Sequence, residues 1–169
     1  RAHAETERAD YIDAAQRAFQ PFLNPVDEGG VAYVDDRGYK WFEEYIVAPP
    51  THILNGFIWA SWGVYDYFLA TRHSYAQDLF EEAVRTVVSN LAEYDMGFWS
   101  LYEQSGTRLR MVASPFYHAL HIVQLKVLHR LTGEKIFLDY ASRWDGYRQS
   151  RLKRTAALAY KAAFKLFYY

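Results

Sequence analysis

The chain has 169 residues, which is enough for one domain, or two small ones, with a buried core. Aromatic residues make up 18% of the sequence and the net charge is −1, so an intrinsically disordered chain and a non-specific nucleic-acid-binding protein are both excluded. Cysteine is absent, which excludes disulfide bonds, a thiol nucleophile and a cysteine-ligated zinc site.

The sequence also bears on processing and membrane association. No apolar run approaches the roughly 20 residues that cross a bilayer, so no membrane span is expected. The chain starts at Arg1 without a methionine or a signal-peptide core, which predicts a fragment or a processed chain. The compartment stays open, and so does assembly into a homo-oligomer.

The first half of the chain alternates helices with one hairpin. Apolar spacing predicts a helix over 5–22, and two aromatic, β-branched runs around a glycine turn predict a hairpin from 31–34 and 39–45. A helix over 52–71 is apolar on nearly every face, which predicts burial all round. The next helix, over 75–94, is amphipathic.

The second half repeats this plan. A second hairpin is expected over 97–112, followed by a helix that Ser114 caps and that runs to about residue 131. Further helices are expected over 135–147 and 151–166, with a break near Ser150.

The two halves form a loose internal repeat, with matching glycines and prolines 65–68 residues apart. Short turns then lie at one end of the helices and both hairpins at the other. This arrangement predicts a mainly α fold, a single domain over 1–169 built as a partial α/α toroid, with two β-hairpin insertions at one end. Sites on such a scaffold are expected on the hairpins and the helix turns that follow them.

The first hairpin carries the segment 41–45. Alternation along a strand places Trp41, Glu43 and Tyr45 on one face and Glu44 on the other. An indole, a carboxylate and a phenol on one face suit a sugar, because the ring stacks and the polar groups bind hydroxyls. The alternative is a solvated glutamate beside packing aromatics, and this segment alone favours that alternative.

The second hairpin carries Trp99 and Tyr102 on its first strand and Arg108 and Arg110 on its second. An arginine that faces a cleft can bind a carboxylate through two parallel hydrogen bonds. The commoner alternative is an exposed arginine that balances surface charge.

The helix after this hairpin brings Tyr117, His118 and His121 to one side. We interpret the opposite stripe (Phe116, Leu120, Val123 and Val127) as core. Taken alone, the two histidines could bind a metal. No acidic ligand follows at a suitable spacing, however, and the HExxH pattern is absent. A buried pair bonded to backbone or to tyrosine is the natural alternative, and no metal or cofactor is expected.

The tail of the chain is locally basic, from Arg151 to Arg154 and again at Lys161 and Lys165. Such a segment can face an anionic polymer or a membrane surface. A solvated charge cluster at a helix is the more common arrangement. No dinucleotide or P-loop pattern is present, so the sequence gives no support to nucleotide chemistry. The GxSxG pattern of serine hydrolases is also absent.

Several of these segments, in this order and spacing, resemble the C-terminal domain of D-glucuronyl C5-epimerases. The resemblance covers about residues 29–147 and rests on the following residues: Trp41-Phe42-Glu43-Glu44-Tyr45, Pro50-Thr51, Ile53-Leu54-Asn55-Gly56-Phe57, Gly63-Val64-Tyr65-Asp66, Tyr117-His118, His121-Ile122, Gln124-Leu125, Arg143-Trp144 and Tyr147. The resemblance implies an α/α toroid that lacks the family's preceding β-rich region. It also implies an acidic polysaccharide of the heparosan type as the partner.

The resemblance implies inversion of D-glucuronate to L-iduronate at C5. That reaction needs a neutralised carboxylate, a base on one face of the sugar and an acid on the other. Tyrosine fills either role if a positive neighbour lowers its pKa. The implied catalytic residues are Tyr45, Tyr102 and Tyr117, supported by Glu43 and Glu44. The implied substrate-binding residues are Trp41, Asn55, Trp99, Arg108, Arg110, His118 and His121.

One departure from the family pattern concerns the carboxylate. In the family an arginine follows shortly after the tyrosine that matches Tyr102, whereas here the next arginines are Arg108 and Arg110. Either one of them takes that role or neutralisation is lost. Two alternatives remain: a lyase-like toroid that eliminates across C4–C5, and a non-catalytic carbohydrate-binding module.

Overall fold

The computed structural model describes residues 2–168 of the chain and divides into two compact units. Unit 1 comprises Arg1–Ile46 and Phe57–Thr86, and unit 2 comprises Val47–Gly56 and Val87–Tyr169. Both units are mainly helical, which confirms the predicted class. The toroidal arrangement of the helices stays a prediction. Within the described residues, no helix combines the length and the apolar character needed to cross a membrane.

Unit 1 begins with two helices where the sequence predicts one. Helix α1 spans Ala2–Thr6 and α2 spans Ala9–Phe19, and a 3-10 turn over Gln20–Phe22 follows. The break falls at Glu7, whose φ of 57° lies in the left-handed region that a continuous helix does not adopt.

The first predicted hairpin is confirmed, although its strands are short. Strand β1 spans Ala32–Val34 and β2 spans Lys40–Phe42, paired antiparallel in a two-stranded sheet. The carboxylate of Asp35 closes the turn. It accepts hydrogen bonds from the backbone N–H groups of Arg37 and Tyr39, both at 2.9 Å.

Helix α3 spans Leu54–Thr71, and α4 spans Ser74–Asn90; the boundary between the units passes through both. In unit 1, Phe57 packs against Trp41 with ring centroids 5.0 Å apart. Burial of α3 on all faces is a wrong prediction, since Trp59 is 53% exposed and Leu69 is 44% exposed. One face of an apolar helix is therefore left uncovered.

The helices of unit 2 follow the predicted plan closely. Helix α5 spans Pro115–Thr132, α6 spans Lys135–Gln149, and α7 spans Arg151–Tyr168. The predicted break at Ser150 is confirmed, because this residue adopts an extended backbone with a ψ of 117°. Gly133 ends α5 in the left-handed conformation that favours glycine.

The second predicted hairpin is an irregular loop. Within 95–113, the structure shows two antiparallel bridges, Asp95 with Ser100 and Leu101 with Val112, and no regular strand. Ten residues, 102–111, lie between the two partners of the second bridge, and this connection is too long for a tight hairpin turn. Other backbone partners therefore hold this loop.

The buried face of α5 is the reverse of the predicted one. Phe116 is 70% exposed and Val123 is 56% exposed, whereas His118, His121 and Gln124 are fully buried. The prediction weighed side-chain polarity, but each of these polar side chains makes at least one hydrogen bond in the interior, which offsets part of the cost of burying it.

Candidate functional site

Tyr102 is held by backbone hydrogen bonds on both sides. Its N–H donates to the carbonyl of Met111 at 2.7 Å, and its carbonyl accepts from the N–H of Leu54 at 3.2 Å. Two residues further along, the N–H of Gln104 donates to the carbonyl of Thr51 at 2.7 Å. The segment that opens α3 thus substitutes for a partner strand and fixes the position of Tyr102 without a sheet.

Tyr117 lies in the first turn of α5. The Ser114 hydroxyl caps this helix, as predicted, by accepting from the N–H of Tyr117 at 3.2 Å, and Pro115 occupies the first turn. The rings of Tyr102 and Tyr117 are 4.9 Å apart between centroids and are tilted by 58°. Both side chains are half-buried. The structure therefore brings together two of the three tyrosines that the sequence singles out.

Next to this pair, one serine joins both histidines of α5. The N–H at Nε2 of His118 donates to the carbonyl of Trp144 at 3.0 Å, because a carbonyl can only accept. The Nδ1 of a neutral His118 is then an acceptor, and the Ser100 hydroxyl donates to it at 2.8 Å. That hydroxyl has a single proton, so the Nδ1–H of His121 must donate to the Ser100 oxygen, 3.0 Å away.

This order of protons requires a neutral His118 ring and is compatible with a neutral His121 ring. Burial lowers the pKa of His118 to about 4, with the hydrogen bond to Trp144 acting in the opposite direction. Burial, together with the neighbouring His118, lowers the pKa of His121 to about 3. At neutral pH the pair is an uncharged link between α5, the loop and α6. It carries no positive charge with which to bind an anionic polymer.

The two remaining polar candidates of the interior, Trp99 and Asn55, are also covered. Trp99 is 2% exposed, stacks on His118 with centroids 3.7 Å apart, and donates from its indole nitrogen to the carbonyl of Ala113. Asn55 is 7% exposed, and its backbone carbonyl accepts from the side-chain amide of Gln124 at 2.9 Å. Trp99 therefore offers no open face on which a sugar ring can stack.

The structure separates the two candidate arginines by their partners. Arg110 donates to the carbonyl of Glu93 and lies 3.8 Å from the sulfur of Met96. Arg108 is exposed, and its guanidinium makes no hydrogen bond or ion pair with any described residue. Arg108 is thus the arginine whose donors remain available for a carboxylate.

In unit 1, the segment 41–45 is divided differently from the predicted alternation, because β2 ends at Phe42. Trp41 is 1% exposed and donates from its indole nitrogen to Asp35 at 3.0 Å, so it is a core residue without an open face. Glu43 is also buried, at 5% exposed, and the interpretation of a solvated glutamate is wrong. Glu44 and Tyr45 are exposed.

Sequence reasoning missed Ser100 as the group that joins the two histidines. The only available signal was its place next to Trp99 in the second hairpin segment, and serine at a strand end is too common to be informative. It also missed Asp95, which accepts from Arg143 at 3.1 Å and from the Tyr147 hydroxyl at 3.3 Å. Among residues 2–168, no group of three or more histidine and carboxylate side chains is placed to hold a metal ion.

Comparison with known proteins places this geometry in a family context. The model of the D-glucuronyl C5-epimerase C-terminus matches residues 1–146. An uncharacterized protein of Methanocaldococcus jannaschii is 32% identical over 146 residues, which cover 85% of this chain and 46% of that protein. The D-glucuronyl C5-epimerase of Caenorhabditis elegans is 28% identical over 152 residues, covering 81% of this chain and 24% of that protein. The matched region thus covers less than half the length of either relative.

Proposed function

Because the chain belongs to the D-glucuronyl C5-epimerase C-terminal family, we propose that it acts in the epimerisation of D-glucuronate to L-iduronate within a heparosan-type polysaccharide. The observation that carries this proposal is the pair of Tyr102 and Tyr117, with rings 4.9 Å apart. Two phenols that converge from a pinned loop and a capped helix turn are suited to proton transfer at one sugar carbon.

The reaction is a proton exchange with no net oxidation. A phenolate removes the C5 proton, the electron pair delocalises into the adjacent carboxylate, and a phenol on the opposite face returns a proton to C5. Tyr102 and Tyr117 are the proposed acid–base residues in unit 2. Tyr45, Glu43 and Glu44 stay predicted catalytic residues in unit 1.

The developing negative charge on the substrate carboxylate needs a donor, because an enolate is costly without one. We assign this role to Arg108, since its guanidinium has no partner among the described residues while Arg110 is bonded to Glu93. The buried rings of His118, His121 and Trp99 then support the site rather than bind sugar, because they fix the loop that carries Tyr102 against α5.

The test is incubation of the protein with heparosan in deuterated water, followed by NMR of the product. Deuterium at C5 together with L-iduronate supports the proposal. An unsaturated product that absorbs in the ultraviolet identifies elimination instead. Polysaccharide binding without any exchange leaves a non-catalytic binding module and contradicts the proposed reaction.

A further inference from the structure

Unit 2 contains a groove beside the first turn of α5, on the side of the helix away from Tyr117. Its walls come from Trp99 and Ala113 of the loop, from Pro115 and Ala119 of α5, from the end of α6, and from α7. The cavity volume of about 510 Å³ lies within the range of small-molecule sites. The mixed lining of apolar and cationic side chains is suited to an organic anion.

Three cations line this groove: Arg148, Arg154 and Lys161. No carboxylate is among the described residues of the lining. Two of the cations are engaged: Arg148 binds Asp145 at 2.8 Å, and the ammonium of Lys161 donates to the carbonyl of Val112 at 2.7 Å. The guanidinium of Arg154 is exposed and makes no hydrogen bond or ion pair with any described residue.

The helix that supplies two of these cations is one-sided in charge. Helix α7 has five basic residues and no acidic one in its sequence. Burial lowers the pKa of Lys161, and repulsion from Lys165 adds to this effect, so the positive charge of Lys161 is only partly compensated. An anion in the groove would offset that cost through charge-assisted hydrogen bonds.

The position of the groove indicates what kind of anion reaches it. Pro115 lines the groove and Tyr117, two residues later, faces Tyr102, so the two sites flank the first turn of α5. A helix is about 10 Å across, so one sugar unit cannot contact both sites. A polysaccharide with a carboxylate on every second sugar can.

We infer that this groove is a second subsite, which binds a carboxylate of the acidic polysaccharide outside the unit that reacts. The identity of the ligand rests on the proposed function, while the cationic character of the groove does not. The family model ends at residue 146, so α7, which supplies Arg154 and Lys161, lies outside the matched region. The subsite is therefore a feature of this chain rather than one carried over from the family match.

The test measures the affinity of the wild type and of three variants for an unsulfated heparosan octasaccharide by titration calorimetry. We expect Arg154→Ala to weaken binding about fivefold, because a charge-assisted hydrogen bond is lost at an exposed site. Arg154→Lys keeps the charge and is expected to recover part of the affinity. The matched control is Arg151→Ala, which removes one charge from α7 outside the groove lining and should change binding less than about twofold.

A second measurement separates a subsite from general attraction. A heparosan disaccharide is too short to reach both sites, so its affinity should be equal for the wild type and Arg154→Ala. Equal effects of Arg154→Ala and Arg151→Ala on the octasaccharide would overturn the subsite, as would an undiminished affinity of Arg154→Ala or no binding by the wild type. Circular dichroism of each variant confirms that α7 is folded.

The outcomes also distinguish this inference from the proposed function. Wild-type protein that binds the octasaccharide without C5 exchange contradicts the reaction and, if Arg154→Ala binds more weakly, retains the subsite. Wild-type protein that catalyses exchange while Arg154→Ala binds equally well retains the reaction and excludes the subsite.

Discussion

Residues 30–42 and residues 95–113 have similar glycine spacing (Gly30 to Gly38 and Gly97 to Gly106), yet only the first segment forms a regular β-hairpin. In the first, three residue pairs align from Ala32–Phe42 to Val34–Lys40, and the Asp35 carboxylate closes a short turn. In the second, isolated bridges at Ser100 and Leu101 are supplemented by side chains of α5 and by the segment before α3.

The difference between the two segments shows which kind of backbone structure leaves a functional side chain accessible. In the regular hairpin the two strands pair with each other, and the central aromatic residue, Trp41, is only 1% exposed. The irregular loop depends on outside partners, and it leaves Tyr102 half-buried beside Tyr117. Buried hydrogen bonds between Ser100 and the histidines of α5 hold this loop in place, as the paired strands hold the first hairpin.

The most severe test of this contrast removes one phenol from the loop–helix pair. Tyr117→Phe keeps the ring and its packing against Tyr102 but removes the hydroxyl. We expect C5 deuterium exchange to fall by about 10²–10⁴-fold, the usual contribution of a general acid or base. The measurement is NMR of heparosan in deuterated water, with circular dichroism as a check of folding.

Tyr140→Phe on α6 is the matched control, because Tyr140 is a half-buried tyrosine of the same unit that packs against Trp144. Its exchange rate should match the wild type. If Tyr117→Phe retains wild-type exchange, Tyr117 is removed from the catalytic residues and the contrast between the two segments loses its functional meaning.

The loop also predicts an inequality between its two arginines. Arg108→Ala should reduce exchange by about 10²-fold, since removing a donor to a developing oxyanion has about this effect. Arg110→Ala removes a guanidinium already bonded to Glu93 and should have a smaller effect on exchange. Initial exchange rates at saturating heparosan provide the comparison, and equal, mild losses in both variants would contradict the role of Arg108.

A third variant tests whether side chains hold the irregular loop. Ser100→Ala removes the hydroxyl that joins His118 and His121. The backbone N–H of residue 100 still donates to Nδ1 of His118, but the buried Nδ1–H of His121 loses its acceptor. We expect the free energy of unfolding to fall by about 1–3 kcal/mol. Urea denaturation measures it, and Ser142→Ala, at an exposed position of α6, should cost less than about 0.5 kcal/mol.

The sequence predicted the bounds of the helices better than it predicted which of their faces are buried. Local signals set the bounds of α5, where Ser114 and Pro115 begin the helix and Gly133 ends it. The buried face of the same helix was predicted on the wrong side. The apolar stripe was interpreted as core, whereas the alternative of a buried histidine pair is the one confirmed: the neutral ring of His118 finds Ser100 and the Trp144 carbonyl in the interior. Those partners are distant in sequence, and no local pattern shows them.

The candidate site shows the same limit. The resemblance to the epimerase family drew attention to Tyr102 and Tyr117, and the structure places their rings in contact. Strand alternation placed Trp41 on a face that suits a sugar, although that segment alone favoured packing, and the resemblance implied that Trp99 binds substrate. Both indoles are buried. Alternation tells which residues share a face but not whether that face is open, because burial depends on what other elements pack there.

The last test concerns pH, and it separates the two segments once more. Burial lowers the pKa of His118 to about 4 and that of His121 to about 3, against about 6.5 in the unfolded chain. Below pH 6.5 the unfolded chain therefore binds more protons than the folded one. Stability is fully present above this value and is lost as the pH falls towards 4, by up to about 1.4 kcal/mol per pH unit for each histidine.

Two carboxylates, Asp35 and Asp145, have a lowered pKa and titrate below this pH range. The backbone and side-chain hydrogen bonds to Asp35 hold its pKa below 3.8 despite burial, and the hydrogen bond from Arg148 does the same for Asp145. Their contributions are therefore lost only at lower pH, and the hairpin closed by Asp35 should be insensitive between pH 7 and pH 5. Urea midpoints at pH 7 and pH 5 give the dependence. His121→Gln should reduce it, His73→Gln at an exposed position should leave it unchanged, and equal dependence in both variants would contradict the neutral pair.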